Sequence, residues 1–364
     1  MSHPNVMGGV YHTYPEKSRV LLVVFRRGMV VKMNIAINGF GRIGRTAAKI
    51  LLEKKDAKLV AVNDLTDDAT LAHLFKYDSN YGTWSGEISA DADGEHLIIN
   101  GEKVPSFAEK DPTKLPWKDL EVDVVLECTG FFTEKETAMG HITAGAKRVI
   151  ISAPPKGSMS THIISVNEGD IKSDDPIISN ASCTTNCITP VVAVINREFG
   201  VLKAMMTTIH SYTADQNLQD GPHKDLRRAR AAAENIVPTT TGAALSTTEV
   251  IPELKGLFDG LAIRVPTPVG SLSDITFIVK KKTTVEEVNE ALSEAAKEPR
   301  FRGILEVTDK PIVSSDIVGN SASAIVDLEL TKVVDGDMVK VVAWYDNEYG
   351  YSCRLVELAL IVGK

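Results

Sequence analysis

The stretch Asn34-Ile35-Ala36-Ile37-Asn38-Gly39-Phe40-Gly41-Arg42-Ile43-Gly44 decides the fold. Its first five residues read as a short strand, and a glycine turn follows at once. A helical pattern comes next, with Ile43, Ala47, Ile50 and Leu51 on one face. Strand, glycine turn and helix in this order make a dinucleotide-binding fingerprint. Gly39 permits the tight turn, Gly41 has no side chain to block a pyrophosphate, and Gly44 lets the helix approach the sheet. The helix N-terminus then offers backbone N–H groups and a positive dipole end to phosphates.

Outward from the glycines, Leu59-Val60-Ala61-Val62-Asn63 reads as a second strand ending at Asp64, twenty positions after Gly44. A carboxylate there accepts from the adenosine 2′-hydroxyl and repels a 2′-phosphate, which favours NAD over NADP. Asp123–Cys128 and Arg148–Ser152 read as further buried parallel strands, with Cys128 an inert core thiol. Ligands of open parallel sheets lie beyond the carboxyl ends of the strands. Thr129 and Ser152 are therefore either cofactor neighbours or residues that cap the next element.

Composition bounds the alternatives. The chain has 364 residues, 43% apolar and 24% charged, with a formal net charge of -8. That length suits roughly two domains, and the acidic balance argues against broad nucleic-acid binding. Four cysteines do not make a disulfide scaffold in a chain this long. No apolar run is long enough to span a membrane. Val20–Phe25 is a short apolar run closed by Arg26-Arg27, the reverse of a secretory signal's order. Residues 1–32 read as a disordered or partly ordered extension, with Met29 or Met33 as alternative starts, and the expected location is cytoplasmic.

The chemistry lies in the second half. Ser182-Cys183-Thr184-Thr185-Asn186-Cys187 sets a thiol among hydroxyl and amide groups, and His210 stands in a run of Thr, Ser and Tyr. Thr189-Pro190 reads as a helix start, which puts Cys183 at or just before a helix N-terminus, where the dipole lowers a thiol pKa. A cysteine nucleophile with a histidine base, downstream of a nicotinamide site, suits covalent oxidation of an aldehyde. With no second cysteine pair, a zinc site lacks ligands, so no metal is expected.

These runs, with Asp225–Arg230, Thr240-Thr241-Gly242-Ala243, Arg264-Val265-Pro266 and Trp344–Tyr351, resemble phosphorylating glyceraldehyde-3-phosphate dehydrogenases from about Met33 to the C-terminus. The resemblance implies an α/β protein, with a Rossmann-type parallel-sheet NAD domain over 33–182 and 349–364. An α+β catalytic and oligomerisation domain with a largely antiparallel sheet would span 183–348. It implies that NAD and inorganic phosphate convert D-glyceraldehyde 3-phosphate to 1,3-bisphosphoglycerate through a hemithioacetal and a thioester on Cys183, with His210 as base. The implied cofactor set is Gly39, Gly41, Arg42, Ile43, Gly44, Asp64, Lys110, Thr129, Ser152, Asn347 and Tyr351. Asn347 would hold the nicotinamide carboxamide, with the Tyr351 ring packed alongside.

By the same resemblance Thr213 and Arg264 belong with the substrate phosphate. Ser182, Thr184, Thr241 and Gly242 belong with the inorganic phosphate, and Arg228 lies near it or between the two sites. Arg227 and Arg230 suit salt bridges at a subunit contact. Leu65 and Pro222 resemble NAD-using members, and the irregular stretch from Ser211 to about Glu234 resembles the family's intersubunit loop, which implies a homotetramer. Leu355, Leu358, Ala359 and Val362 form a last helix expected to pack on the first domain. Two other readings remain: an erythrose-4-phosphate dehydrogenase that releases the acid to water, and an NAD- or redox-sensing binding protein.

Overall fold

A computed structural model describes residues 32–363, so the extension expected over residues 1–32 lies, but for Lys32, outside the described residues. The first sheet has eight strands. In spatial order they are Ile177–Ser179, Arg148–Ile151, Val124–Glu127, Met33–Asn38, Ala57–Asn63, Glu102–Phe107, His96–Ile99 and Ile88–Ala90. The first six pair in parallel and the last two join as antiparallel neighbours. The central strands read as nearly unbroken apolar runs because both faces are covered. Ile35, Ile37, Val62, Val124, Leu126 and Ile150 are all fully buried.

Met33–Asn38 lies between Ala57–Asn63 and Val124–Glu127, and the chain builds outward from it in both directions. That is a topological switch point, where a crevice opens at the carboxyl ends of the strands. Helix α1 (Arg42–Leu52) leaves this point with Gly41 as its N-cap. Helices α2 (Asp68–Lys76) and α3 (Lys135–Thr143) follow. The expected strand at Asp123–Cys128 ends one residue early, so Cys128 is half-buried at the crevice rather than inside the strand.

The second sheet runs Val237–Thr239, Phe258–Val265, Val201–Ser211, Ser271–Val279, Met338–Tyr345, Ala324–Asp327 and Leu305–Thr308, with Lys332–Val334 beside Met338–Tyr345. Five of its pairings are antiparallel and two parallel. Helices α4 (Cys183–Phe199), α5 (Ala243–Val250) and α6 (Val285–Lys297) cover one face. Their core joins Val191, Val194 and Ile195 to Ile275, Phe277 and Val341.

Helix α7 (Tyr349–Val362) returns to the first sheet. Leu355, Leu358 and Ala359 share a core with Ile35, Ala47 and Leu51, and Val362 packs against its edge, as expected.

A second expectation is corrected. Helix α4 starts at Cys183 rather than at Thr189, and Pro190 lies inside it. Ser182 supplies the earlier cap, its Oγ accepting from Thr185 N at 3.1 Å. An interior proline costs a helix about 3 kcal/mol. Burial of most of α4 outweighs that penalty, and the Thr189 hydroxyl donates to Thr185 O at 2.7 Å in the same turn.

Candidate active site

The glycine loop is shaped as its residues dictate. Gly39 has φ +91°, and a Cβ there would lie 2.6 Å from Thr129 N. A Cβ on Gly44 would lie 2.1 Å from Gly39 O, so helix and strand touch through that glycine. A Cβ on Gly41 would meet nothing within 4 Å, which leaves open space over the loop. This is the cradle a pyrophosphate needs, and the chain fits a dinucleotide here.

A pocket opens beside it, lined by Gly39, Gly41, Asp64, Lys110 and Thr129 from the expected set. Asn38, Asn63, Leu65, Glu109, Cys128, Phe131 and Phe132 complete it. Asp64 Oδ2 accepts from Phe40 N at 2.7 Å and Oδ1 from Thr66 N at 3.0 Å, so the carboxylate is fixed at the mouth.

Arg42 is not aimed into this pocket. Glu348 and Asp78 hold its guanidinium, which these carboxylates keep well above its ordinary pKa. Ile43 packs into the core of the first sheet. Both sit in the first turn of α1, so their backbone N–H groups are what they offer a phosphate.

Beneath the pocket lies a network the sequence reading missed. Glu127 Oε1 accepts from the backbone N–H and hydroxyl of Thr129, and Oε2 from Asn38 Nδ2 and His141 Nε2. The Trp117 indole donates to His141 Nδ1 at 2.9 Å. An indole N–H can only donate, so the His141 proton sits on Nε2 and points at Glu127.

The Cys183 thiol stands at the first position of α4. Cys183 Sγ lies 3.4 Å from His210 Nε2. His210 Nδ1 lies 2.7 Å from Ser211 O, which can only accept, and 2.8 Å from Arg264 Nη1, which can only donate; in the tautomer whose Nδ1–H is given to Ser211 O, Nε2 presents its lone pair to the thiol. Arg264 Nη1 also donates to Ser211 O at 2.9 Å, against the imidazole. Among the described residues Arg264 has no carboxylate partner within salt-bridge distance, and it is half-buried. A desolvated guanidinium without a counter-ion, beside a thiol, has the chemistry to receive an anion.

The expected depressed thiol pKa is not what this site gives. Burial pushes the Cys183 thiol up. Arg264 and the hydroxyl and N–H groups of Thr184 pull against that without overcoming it. Burial, and next Arg264, bring His210 down to about 3. The resting pair is thus a thiol and a neutral imidazole, the form a general base requires.

The remaining residues divide. Ser182 caps α4, and the Thr184 hydroxyl bonds to Tyr345 Oη at 2.8 Å. Thr241 accepts from Ala243 N at 3.2 Å, and Gly242 caps α5 with open space in place of a side chain. Arg228 is held by Asp215, Asp225 and Thr239, and Arg230 by Asp220. Thr213 follows the strand that carries His210, and its N–H and carbonyl sit in the turn closed by Gln216 N.

Tyr351 Oη donates to Ala181 O at 3.0 Å, and the Ser152 and Asn180 side chains face the phenol. Cys128 and Cys183 both lie close enough to raise that phenol further. Ser152 and Tyr351 therefore lie between the dinucleotide pocket and the thiol. Asn180, fully buried with neither side-chain polar atom hydrogen-bonded among the described residues, escaped the sequence reading.

Two family sequence models match the chain. The NAD binding domain of glyceraldehyde 3-phosphate dehydrogenase matches residues 33–135, and the C-terminal domain of the same enzyme matches residues 182–347. The chain belongs to the glyceraldehyde-3-phosphate dehydrogenase family. It is 53% identical over 339 residues to the glyceraldehyde-3-phosphate dehydrogenase of Mycolicibacterium smegmatis, covering 91% of this chain and 99% of that one. It is 52% identical to that of Clostridium acetobutylicum over 335 residues, 91% of this chain and 98% of that one. Identity to the Geobacillus stearothermophilus enzyme is also 52%, over 340 residues, 92% of this chain and 99% of that one. Membership in this family agrees with the α/β architecture and with the NAD-shaped loop at Gly39–Gly44.

Proposed function

We propose that the chain oxidises D-glyceraldehyde 3-phosphate with NAD and couples the oxidation to inorganic phosphate, giving 1,3-bisphosphoglycerate. The observation that carries this is Cys183 Sγ at 3.4 Å from a neutral His210 Nε2, beside Arg264, which has no carboxylate partner among the described residues. Sγ bonds to the aldehyde carbon while its proton passes to Nε2, and the resulting hemithioacetal oxygen takes a proton back. His210 Nε2 then removes that hydroxyl proton as hydride departs from carbon. Bound NAD supplies the hydride acceptor. The thioester left on Cys183 keeps the energy of oxidation. A phosphate oxygen attacks its carbonyl carbon, the C–S bond breaks, and Sγ recovers the proton from Nε2. Arg264, with Thr213, holds the substrate phosphate. The attacking phosphate is placed at Ser182, Thr184, Thr241 and Gly242, with Arg228 nearby. Thr184 offers its backbone N–H at the start of α4, while its hydroxyl also bonds to Tyr345 Oη.

The cofactor reading assigns the pyrophosphate to the loop from Gly39 to Gly44, the ribose to Asp64, and the nicotinamide to Asn347 and Tyr351. Lys110, Thr129 and Ser152 line its path. We infer the same division of labour for the two halves, residues 33–182 with 349–364 for the cofactor and 183–348 for catalysis. The shared core of α1 and α7 supports this.

Self-association as a homotetramer is part of the proposal. Leu218 and Leu226 are 71% and 81% exposed in the irregular loop before Val237–Thr239, which suits a subunit contact. Leu226→Asp is expected to lower the sedimenting mass. No helix among the described residues is long and apolar enough to cross a membrane, and the proposed location is the cytoplasm.

The test is NADH absorbance with glyceraldehyde 3-phosphate and NAD, with and without phosphate, beside Cys183→Ser. Phosphate-dependent turnover that vanishes in the variant supports the reading. Turnover independent of phosphate moves the assignment to a hydrolytic erythrose-4-phosphate type of dehydrogenase. NAD binding without turnover moves it to a sensing protein.

A further inference from the structure

Asn347 is nearly buried, and three donors converge on one atom of its side chain. Gly270 N donates to Oδ1 at 3.0 Å, Ser211 Oγ at 2.9 Å and Ser271 Oγ at 2.9 Å. The Gly270 N–H has no acceptor function, so the amide atom facing it must be oxygen. The two hydroxyls reinforce this assignment. Ser271 Oγ accepts from Ser211 N at 3.2 Å, which directs its own proton toward Asn347. Turning the amide over would set an NH2 group against the Gly270 N–H and orphan that donor in a buried site. Gly270 itself cannot be replaced without strain. It has φ +90°, and a Cβ would lie 2.6 Å from Ser314 O.

Asn347 Nδ2, by contrast, makes no hydrogen bond among the described residues and is not among their fully buried unpaired atoms. Ser211 also ties this amide to the chemistry, because its backbone carbonyl accepts from His210 Nδ1 and Arg264 Nη1. One residue thus touches the proposed nicotinamide holder through its side chain and the proposed base through its backbone.

We propose that Ser211 is a positioning residue: with Gly270 and Ser271 it fixes the Asn347 amide so that Nδ2 is the group presented to the carboxamide of a bound nicotinamide. This rests on the reading that Asn347 holds that carboxamide. A carboxamide has a donor end and an acceptor end. An Asn347 that offers only a donor accepts one orientation, and so presents one face of the nicotinamide ring to the hemithioacetal carbon. An Asn347 free to turn over would accept both.

The experiment compares Ser211→Ala, Ser211→Thr and Asn347→Ala in the full chain. NAD affinity is measured by titration calorimetry without substrate, and facial selectivity by label transfer from NADH carrying deuterium on one face. Ser211→Ala is expected to weaken NAD by roughly threefold to tenfold, the size of one hydrogen bond, and to pass measurable label to the other face. Ser211→Thr, which keeps the hydroxyl, should restore both. The rate and pH profile of Cys183 alkylation by iodoacetamide, without NAD, should not change in Ser211→Ala, because the carbonyl that holds His210 remains.

Undiminished NAD affinity and facial selectivity in Ser211→Ala overturn the proposal while Asn347→Ala still weakens NAD. If Asn347→Ala leaves NAD affinity intact, the reading of Asn347 itself falls, and the proposal with it. Should Ser211→Ala fail to fold, Ser271→Ala removes another of the three donors and is judged by the same criteria.

Discussion

Cys183 Sγ and His210 Nε2 stand 3.4 Å apart, joined from the first turn of α4 and the end of the long strand Val201–Ser211. Nδ1 lies between Ser211 O and Arg264 Nη1, and in the tautomer that donates to Ser211 O the basic nitrogen of the ring faces sulfur. His210→Asn keeps a polar side chain of similar bulk and removes the base. Turnover is expected to fall by about 10²–10⁴-fold, the usual worth of a general base. Alkylation of Cys183 near neutral pH should slow as well. NAD affinity should hold, and a parallel loss of NAD binding would show a wider collapse of the site.

The same imidazole makes stability depend on pH. Its pKa is about 3 in the folded protein and ~6.5 in the unfolded chain, so between those values the unfolded chain binds the extra proton. The stability of the neutral imidazole is complete above pH ~6.5 and is lost as pH falls toward 3, with a slope of at most about 1.4 kcal/mol per pH unit. Urea denaturation from pH 7 to 4 should show wild type losing more stability than His210→Asn. Parallel curves would mean that His210 is not buried as a neutral base.

Arg264 is half-buried, has no carboxylate partner among the described residues and lies against His210. Its charge is the second cause, after burial, of the depressed imidazole. Arg264→Ala should raise KM for the phosphorylated aldehyde by tenfold or more, because a charge-assisted phosphate contact is lost. It should also move the acid limb of the Cys183 alkylation profile to higher pH, since the imidazole then protonates more readily. Arg264→Lys keeps the charge and loses the fork, so it should restore the profile better than it restores KM.

Legibility followed sequence distance. The glycine loop, its strand and α1 are local, and a 3.6-residue apolar period announced them before any contact was known. Cys183 and His210 were legible as residue types, but their approach depends on the packing of α4 against the second sheet. The start of α4 was misplaced because Pro190 is strong punctuation, while the Ser182 cap that sets the boundary is a single weak one. The helix end and a neighbouring imidazolium suggest a depressed thiol pKa, whereas burial, a tertiary property, sets the direction. Asn347 with Ser211, and Glu127 with His141 and Trp117, are long-range hydrogen bonds with no local signature.

Two glycines of one loop should fail in opposite ways. A Cβ on Gly44 would meet Gly39 O at 2.1 Å, so Gly44→Ala must push α1 off the strand. A stability loss of about 1–3 kcal/mol is expected, as for other overpacked contacts, with NAD affinity falling as a consequence. Gly41 has φ −71°, open to any residue, and faces empty space. It is also the N-cap of α1, where Asp is among the favoured residues. Gly41→Asp should therefore keep or raise the melting temperature while placing a carboxylate at the proposed pyrophosphate site. NAD affinity should drop by about 100-fold or more, given the worth of charged contacts in such sites. Thermal melts and NAD titrations of the two variants separate the roles. Normal NAD affinity in Gly41→Asp would remove the pyrophosphate from this loop.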